Sequence, residues 1–185
     1  MRYFWDLRAN KWERTLLIES GSRSLIENLI PALQAQLGEL EFDLVTCFAG
    51  VPKNLPAGAK VFRVNECGTK EKRAAMIAEI ASQGYSTMGM ICSNEPLMTK
   101  WKWMIAWKTP AKLFIVNENG DYFWFDRSQL ATIQHFILFR MGMTGAGAIR
   151  TVARLLVFPF SVLYLLLFAL AAHGQRYLRL KQKRI

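Results

Sequence analysis

TLLIESGSRSLIENLIPALQAQLGELEFDLVTCF, residues 15–48, holds the pattern that decides the fold. Residues 15–19 are a short apolar run that enters the small polar turn Ser20, Gly21, Ser22. Leu25, Ile26, Leu29, Ile30, Leu33 and Leu37 then recur near the helical period, and residues 42–48 read again as a strand. Strand, helix, strand in this order is a β-α-β unit, which implies parallel strands. Pro31 interrupts the helical series and is expected to kink the helix or mark its true start, because proline removes a backbone donor.

The alternation continues outward. Residues 61–64, 85–92 and 112–116 read as further strands and 122–125 as a short extra one. Helices are expected over 69–82, with Met76, Ile77 and Ile80 inward and Gly84 as C-cap, over 96–108, and from 128 to about 140. The expected fold is α/β: a single Rossmann-like domain with a parallel sheet over residues 1–141, followed by a C-terminal membrane helix. A flexible hinge at 142–149, a membrane helix at 150–174 and a basic tail at 175–185 complete the expected organisation.

The membrane assignment rests on residues 155–172, LLVFPFSVLYLLLFALAA, a run without charge. As a helix it covers about 27 Å, close to the ~30 Å hydrocarbon core of a bilayer. Arg150 and Arg154 precede it and Arg176 and Arg179 follow it, where they suit anionic headgroups. The net charge of +10 belongs to this end: residues 127–185 hold 9 basic and no acidic residues, whereas residues 1–126 hold 15 and 14. That distribution, with no zinc-finger or RNA-binding signature, argues for membrane lipid as partner and against nucleic acid.

Three cysteines without metal or redox spacing, and an N-terminal stretch without a signal peptide, place the soluble domain on the cytoplasmic side of the inner membrane. A single crossing then carries the basic tail outward, against the positive-inside tendency. A re-entrant or shallow helix bent at Pro159 is the alternative.

In open parallel sheets ligands bind beyond the carboxyl ends of the strands. The first such loop, Ser20, Gly21, Ser22, Arg23 and Ser24, is a candidate anion or sugar site at a helix N-terminus; the same residues also read as an N-cap by Ser22 or Ser24. Asn94, Asn117 and Asn119 are candidate sugar-binding amides, and Glu95, Glu118 and Asp121 are candidate general bases. These segments also read as a helix start and a tight turn. In the helix 96–108, Trp103 and Trp107 beside Lys100 and Lys102 fit a membrane–water interface, or a helix buried against a neighbouring element. His135 and His173 lack a second ligand at metal spacing, so neither metal nor cofactor is expected.

Ile30, Pro31, Ala32, Leu33 and the strand Asp43, Leu44, Val45, Thr46 resemble the N-terminal Rossmann-like domain of heptosyltransferase-like glycosyltransferases of the two-domain GT-B type. Aligning on Pro31 puts Ser24 and Leu25 where family members carry a glycine and then an acidic residue, which leaves Glu19 and Glu27 as the nearest carboxylates. The resemblance implies a membrane-attached, glycosyltransferase-like protein that acts on or presents a lipid-linked saccharide in bacterial envelope glycan synthesis. Its likeness to half of such an enzyme implies a split arrangement with a partner glycosyltransferase subunit, or a homo-oligomer. The alternative is a non-catalytic membrane anchor or scaffold that recruits a partner glycosyltransferase.

Overall fold

The computed structural model describes residues 3–5, 13–38, 40–93, 97–145 and 148–182, without the side chains at 37 and 177–182. Its strands are β1 (Arg14–Glu19), β2 (Glu41–Thr46), β3 (Val61–Arg63), β4 (Thr87–Ile91), β5 (Lys112–Val116) and β6 (Tyr122–Trp124). They form one six-stranded sheet in the order β3-β2-β1-β4-β5-β6. The first five strands are parallel and β6 runs antiparallel along β5. The helices are α1 (Arg23–Leu37), α2 (Lys70–Ser82), α3 (Thr99–Lys108), α4 (Leu130–Arg140) and α5 (Ala148–Gln182). The chain is thus α/β, with a mostly parallel sheet and a C-terminal apolar helix.

A parallel sheet must be covered on both faces, and the buried residues separate accordingly. Ile26, Leu29, Ile30 and Leu33 of α1 pack on Leu17, Phe42, Leu44, Phe114 and Val116. On the opposite face Met76, Ile77 and Ile80 of α2 and Ile105 and Ala106 of α3 pack on Leu16, Ile18, Val45, Met88, Met90 and Leu113. The two layers differ in chemistry. The α2/α3 layer gathers three buried methionines and, at its margin, Met98, Met104, Cys47, Cys67 and Cys92, whereas the α1 layer is aliphatic and aromatic.

Pro31 does not start α1; it lies inside the 15-residue helix. The carbonyl it cannot reach, Glu27 O, accepts instead from Asn54 Nδ2 at 2.6 Å. A loop amide thereby replaces the missing helical donor. Glu27 Oε1 also accepts from the Lys53 backbone N–H at 3.1 Å, so the long loop between β2 and β3 is latched to α1.

At the amino edge of the sheet Asp43 accepts from Tyr85 Oη at 2.7 Å, from the Lys60 backbone N–H at 2.7 Å and from Arg14 Nη2 at 2.8 Å. Burial, and next the hydrogen bond to Asp43, pushes the Tyr85 phenol well above its ordinary range, so it remains a donor. At the far side Lys112 pairs with buried Asp126 at 2.9 Å and lies over the Trp124 ring at 5.2 Å. Asp126 also caps the following 3-10 turn by accepting from the Ser128 backbone N–H at 2.9 Å.

Two compact units, Met1–Ile133 and Gln134–Ile185, divide within α4. Gly142, the first residue of the expected hinge, ends α4: its φ is 65°, its N–H donates to Phe139 O at 3.0 Å, and Met143 N–H donates to Leu138 O at 2.9 Å. This is a Schellman turn. Helix α5 runs without a break through Pro159. Residues Ala148–Arg176 are long and apolar enough to cross a membrane, with mean hydropathy 2.5 and none of the apolar window buried.

Two predictions follow from packing and charge. A Cβ at Gly89 would run into the Phe114 ring and lie 2.8 Å from Leu17 Cδ2, so Gly89→Ala is expected to cost about 1–3 kcal/mol in denaturant unfolding of the detergent-solubilised chain. Burial alone would raise Asp126, but hydrogen bonds from Ser128 and Lys112 outweigh it and hold the carboxyl below its usual range. A depressed folded pKa contributes stability that is present above the unfolded value of about 4 and is lost as pH falls through the folded value. Wild type should therefore lose stability on acidification below about pH 4, and Asp126→Asn should be less stable at pH 7 with a flatter acid limb in thermal melts.

Candidate functional site

Strand order reverses between β1 and β4, which makes the carboxyl ends of these strands the place where an open α/β sheet offers a crevice. Alternation along β1 turns Glu19 to the same face as Leu17, toward α1, where it is fully buried. Its carboxylate accepts from Arg23 Nε at 2.8 Å, Arg23 Nη2 at 3.4 Å and Thr46 Oγ1 at 2.5 Å. Every direction in which Glu19 could take a proton from a substrate is closed by protein. It joins the start of α1 to the end of β2, and so acts as a structural ion pair.

The same arginine continues outward. Arg23 Nη1 donates to Ala49 O at 2.8 Å and its guanidinium lies over the Phe48 ring at 5.8 Å. Arg63 donates to Phe48 O at 3.0 Å and Gly50 O at 3.2 Å, and Asn65 to Cys47 O at 2.5 Å. The loop after β2 is therefore held by side-chain donors from three elements. Burial pushes the Cys47 thiol up, which disfavours a nucleophilic thiolate at this edge.

At the junction of β1 and β4 two donors meet on one carbonyl: Ser20 Oγ reaches Ile91 O at 2.7 Å and Lys102 Nζ reaches it at 3.0 Å. Gly21 packs so closely on the loop after β4 that a Cβ there would lie 2.5 Å from Ser93 Oγ and 2.9 Å from Ile91 Cγ2. Ser93 Oγ is itself buried without a hydrogen-bond partner. Beyond this junction Ser22 and Ser24 are exposed at the start of α1, their hydroxyls 2.8 Å apart, and Ser22 caps the helix without a side-chain bond. Two exposed hydroxyls thus stand at a helix N-terminus, where the dipole favours negative charge, although the Leu25 N–H already donates to Ser22 O at 3.1 Å.

Several expected roles change. Lys102 is not interfacial: it is 5% exposed and its amine turns inward to Ile91 O, because the length of the side chain lets the charge reach the strand end while the stem packs in the core. Lys100, Trp103 and Trp107 of the same helix are exposed. Glu27 holds the β2–β3 loop. Asn117 is occupied in its own turn, where its Oδ1 accepts from the Asn119 and Asp121 N–H groups, both at 2.9 Å, and its amide donates to Asp121 at 3.3 Å. Glu118 and Asn119 are exposed on the β5–β6 hairpin. Asn94 and Glu95 lie outside the described residues, as does any statement about the Arg179 side chain. Arg150, Arg154 and Arg176 are exposed on α5.

No protein-family model, curated protein or solved structure matches the chain. The site pairs small hydroxyl donors at a strand-end edge with a carboxylate already neutralised, which fits binding of a phosphate better than proton abstraction.

Thr46 and Ser93 matter more than residue type alone suggests. The strand-end position of Thr46, one β-strand away from Glu19, is the signal that pairs them. Arg23→Ala should leave the Glu19 charge buried with only Thr46 as partner and destabilise the chain by about 3 kcal/mol, with Glu19→Leu/Arg23→Ala recovering part of that loss. Denaturant midpoints of the two variants and wild type measure the difference.

Proposed function

We propose that this protein is a membrane-attached, Rossmann-like domain of the GT-B half type that presents a lipid-linked saccharide in bacterial envelope glycan synthesis to a separate, donor-binding glycosyltransferase subunit. The carrying observation is that the strand-end edge offers an anion-binding turn while its own carboxylate, Glu19, is sealed by Arg23 and Thr46. A domain of this kind binds and positions; the general base comes from elsewhere. The strand order β3-β2-β1-β4-β5 is that of a mononucleotide-binding half, which supports the Rossmann-like reading. Helix α5 supports attachment at the membrane where a lipid-linked substrate resides. In this reading the diphosphate of the lipid carrier meets the start of α1 at residues 22–24, where the Ser22 and Ser24 hydroxyls are exposed, with the domain on the cytoplasmic face of the inner membrane.

The test is photo-crosslinking of the full chain in nanodiscs with a diazirine-bearing polyprenyl diphosphate saccharide, alongside a transfer assay with nucleotide sugars. Crosslinks are expected at residues 22–24 and 92–93, with no sugar transfer by the chain alone. Crosslinks confined to α5 would remove the presenting role, and transfer by the chain alone would make it a complete enzyme.

A further inference from the structure

We infer that the sheet-domain carries a second membrane contact, an aromatic patch built from its N-terminal segment and α3 that rests on anionic headgroups. This inference depends on the membrane attachment proposed above, and adds to it a surface that the membrane helix does not supply.

The patch is continuous through ring contacts. Trp5 meets Phe4 at 5.2 Å between centroids, Phe4 meets Phe125 at 5.5 Å, and Phe125 meets Trp103 at 6.3 Å. Trp107 follows Trp103 one turn along α3. The backbone holds this arrangement, since Arg127 N–H donates to Phe4 O at 3.0 Å. Yet its outer members remain in water: Trp5 is 68% exposed, Trp107 69% and Trp103 41%. Isolated exposed apolar residues need no explanation, but three tryptophans joined in one surface do.

Charge selects the occupant. Lys100, Lys108 and Arg127 are exposed around the aromatics. Among the described residues of segments 3–5, 99–108 and 125–128, the carboxylate present is Asp126, which is buried and paired with Lys112. Protein interfaces enrich aromatics but are depleted of lysine, whereas tryptophan and basic residues together are the composition of the bilayer–water boundary. Each basic group near an anionic surface adds to binding, and a chain held by its own membrane helix keeps that surface at high effective concentration.

All six tryptophans precede residue 125, so indole emission from the full chain reports on this domain and not on α5. The chain is reconstituted in phosphatidylcholine vesicles, with or without phosphatidylglycerol, containing lipids brominated near the glycerol end of their acyl chains. Emission should be quenched, more strongly with phosphatidylglycerol, and the W5F/W103F/W107F variant should lose at least about half of the quenching. K100E/K108E/R127E should reduce quenching about twofold in the anionic vesicles and little in the neutral ones. Equal quenching of wild type and the tryptophan variant, in chains that resist carbonate extraction, overturns the patch and leaves the anchor standing. Indoles shielded from aqueous iodide but not quenched by lipid also overturn it, in favour of a protein partner. Loss of the chain from vesicles on carbonate extraction overturns the membrane attachment itself.

Discussion

A carboxylate taken wholly out of water must be compensated by charge and hydrogen bonds, or it is driven to neutrality. Glu19 is in that situation, and its compensation organises the carboxyl edge of the sheet. Because its partners come from the first turn of α1 and the last residue of β2, the ion pair sets where the helix departs from β1 and how it lies over β2. The arginine that neutralises it also holds the next loop at Ala49, and Arg63 holds the same loop from β3. One buried charge thus has consequences across three strands.

The segment Asp43–Thr46 shows how differently two ends of one strand are used. Asp43 gathers donors from Arg14, Lys60 and Tyr85 at the amino edge, on the α2/α3 face, and Thr46 donates to Glu19 at the carboxyl edge, on the α1 face. Both polar residues tie β2 to its surroundings, and the apolar Leu44 and Val45 between them fill the two core layers. A strand with this pattern is specified at both ends and on both faces, which fixes its register against β1.

Much of the fold was legible because helices and buried parallel strands leave local signals. Ile26, Leu29, Ile30 and Leu33 of α1 and Met76, Ile77 and Ile80 of α2 are buried as expected, and the strands fall within a few residues of the expected runs. What was not legible depends on contacts between distant residues. Asn54 substitutes for the donor lost at Pro31 from 23 positions away, so no helical periodicity could announce that the helix continues. Lys102 has the spacing of a surface residue beside Trp103, but the end of β4 provides an acceptor within reach of its long side chain. Likewise Phe4, near the N-terminus, meets the Phe125 ring that in turn meets Trp103 of α3, a contact across more than 100 residues. The candidate site was legible as a location, since strand ends define it, while the roles of Glu19, Glu27 and Asn117 became structural once their partners were known.

The unequal chemistry of the two core layers has a consequence for substitution. The layer under α1 is filled by branched aliphatic and aromatic side chains, whose shapes leave little room for substitution. The layer beneath α2 and α3 is rich in thioethers and thiols, unbranched or small groups that change shape at little cost. Changes of side-chain shape are accordingly accommodated more readily around Met76, Met88 and Met90 than under α1.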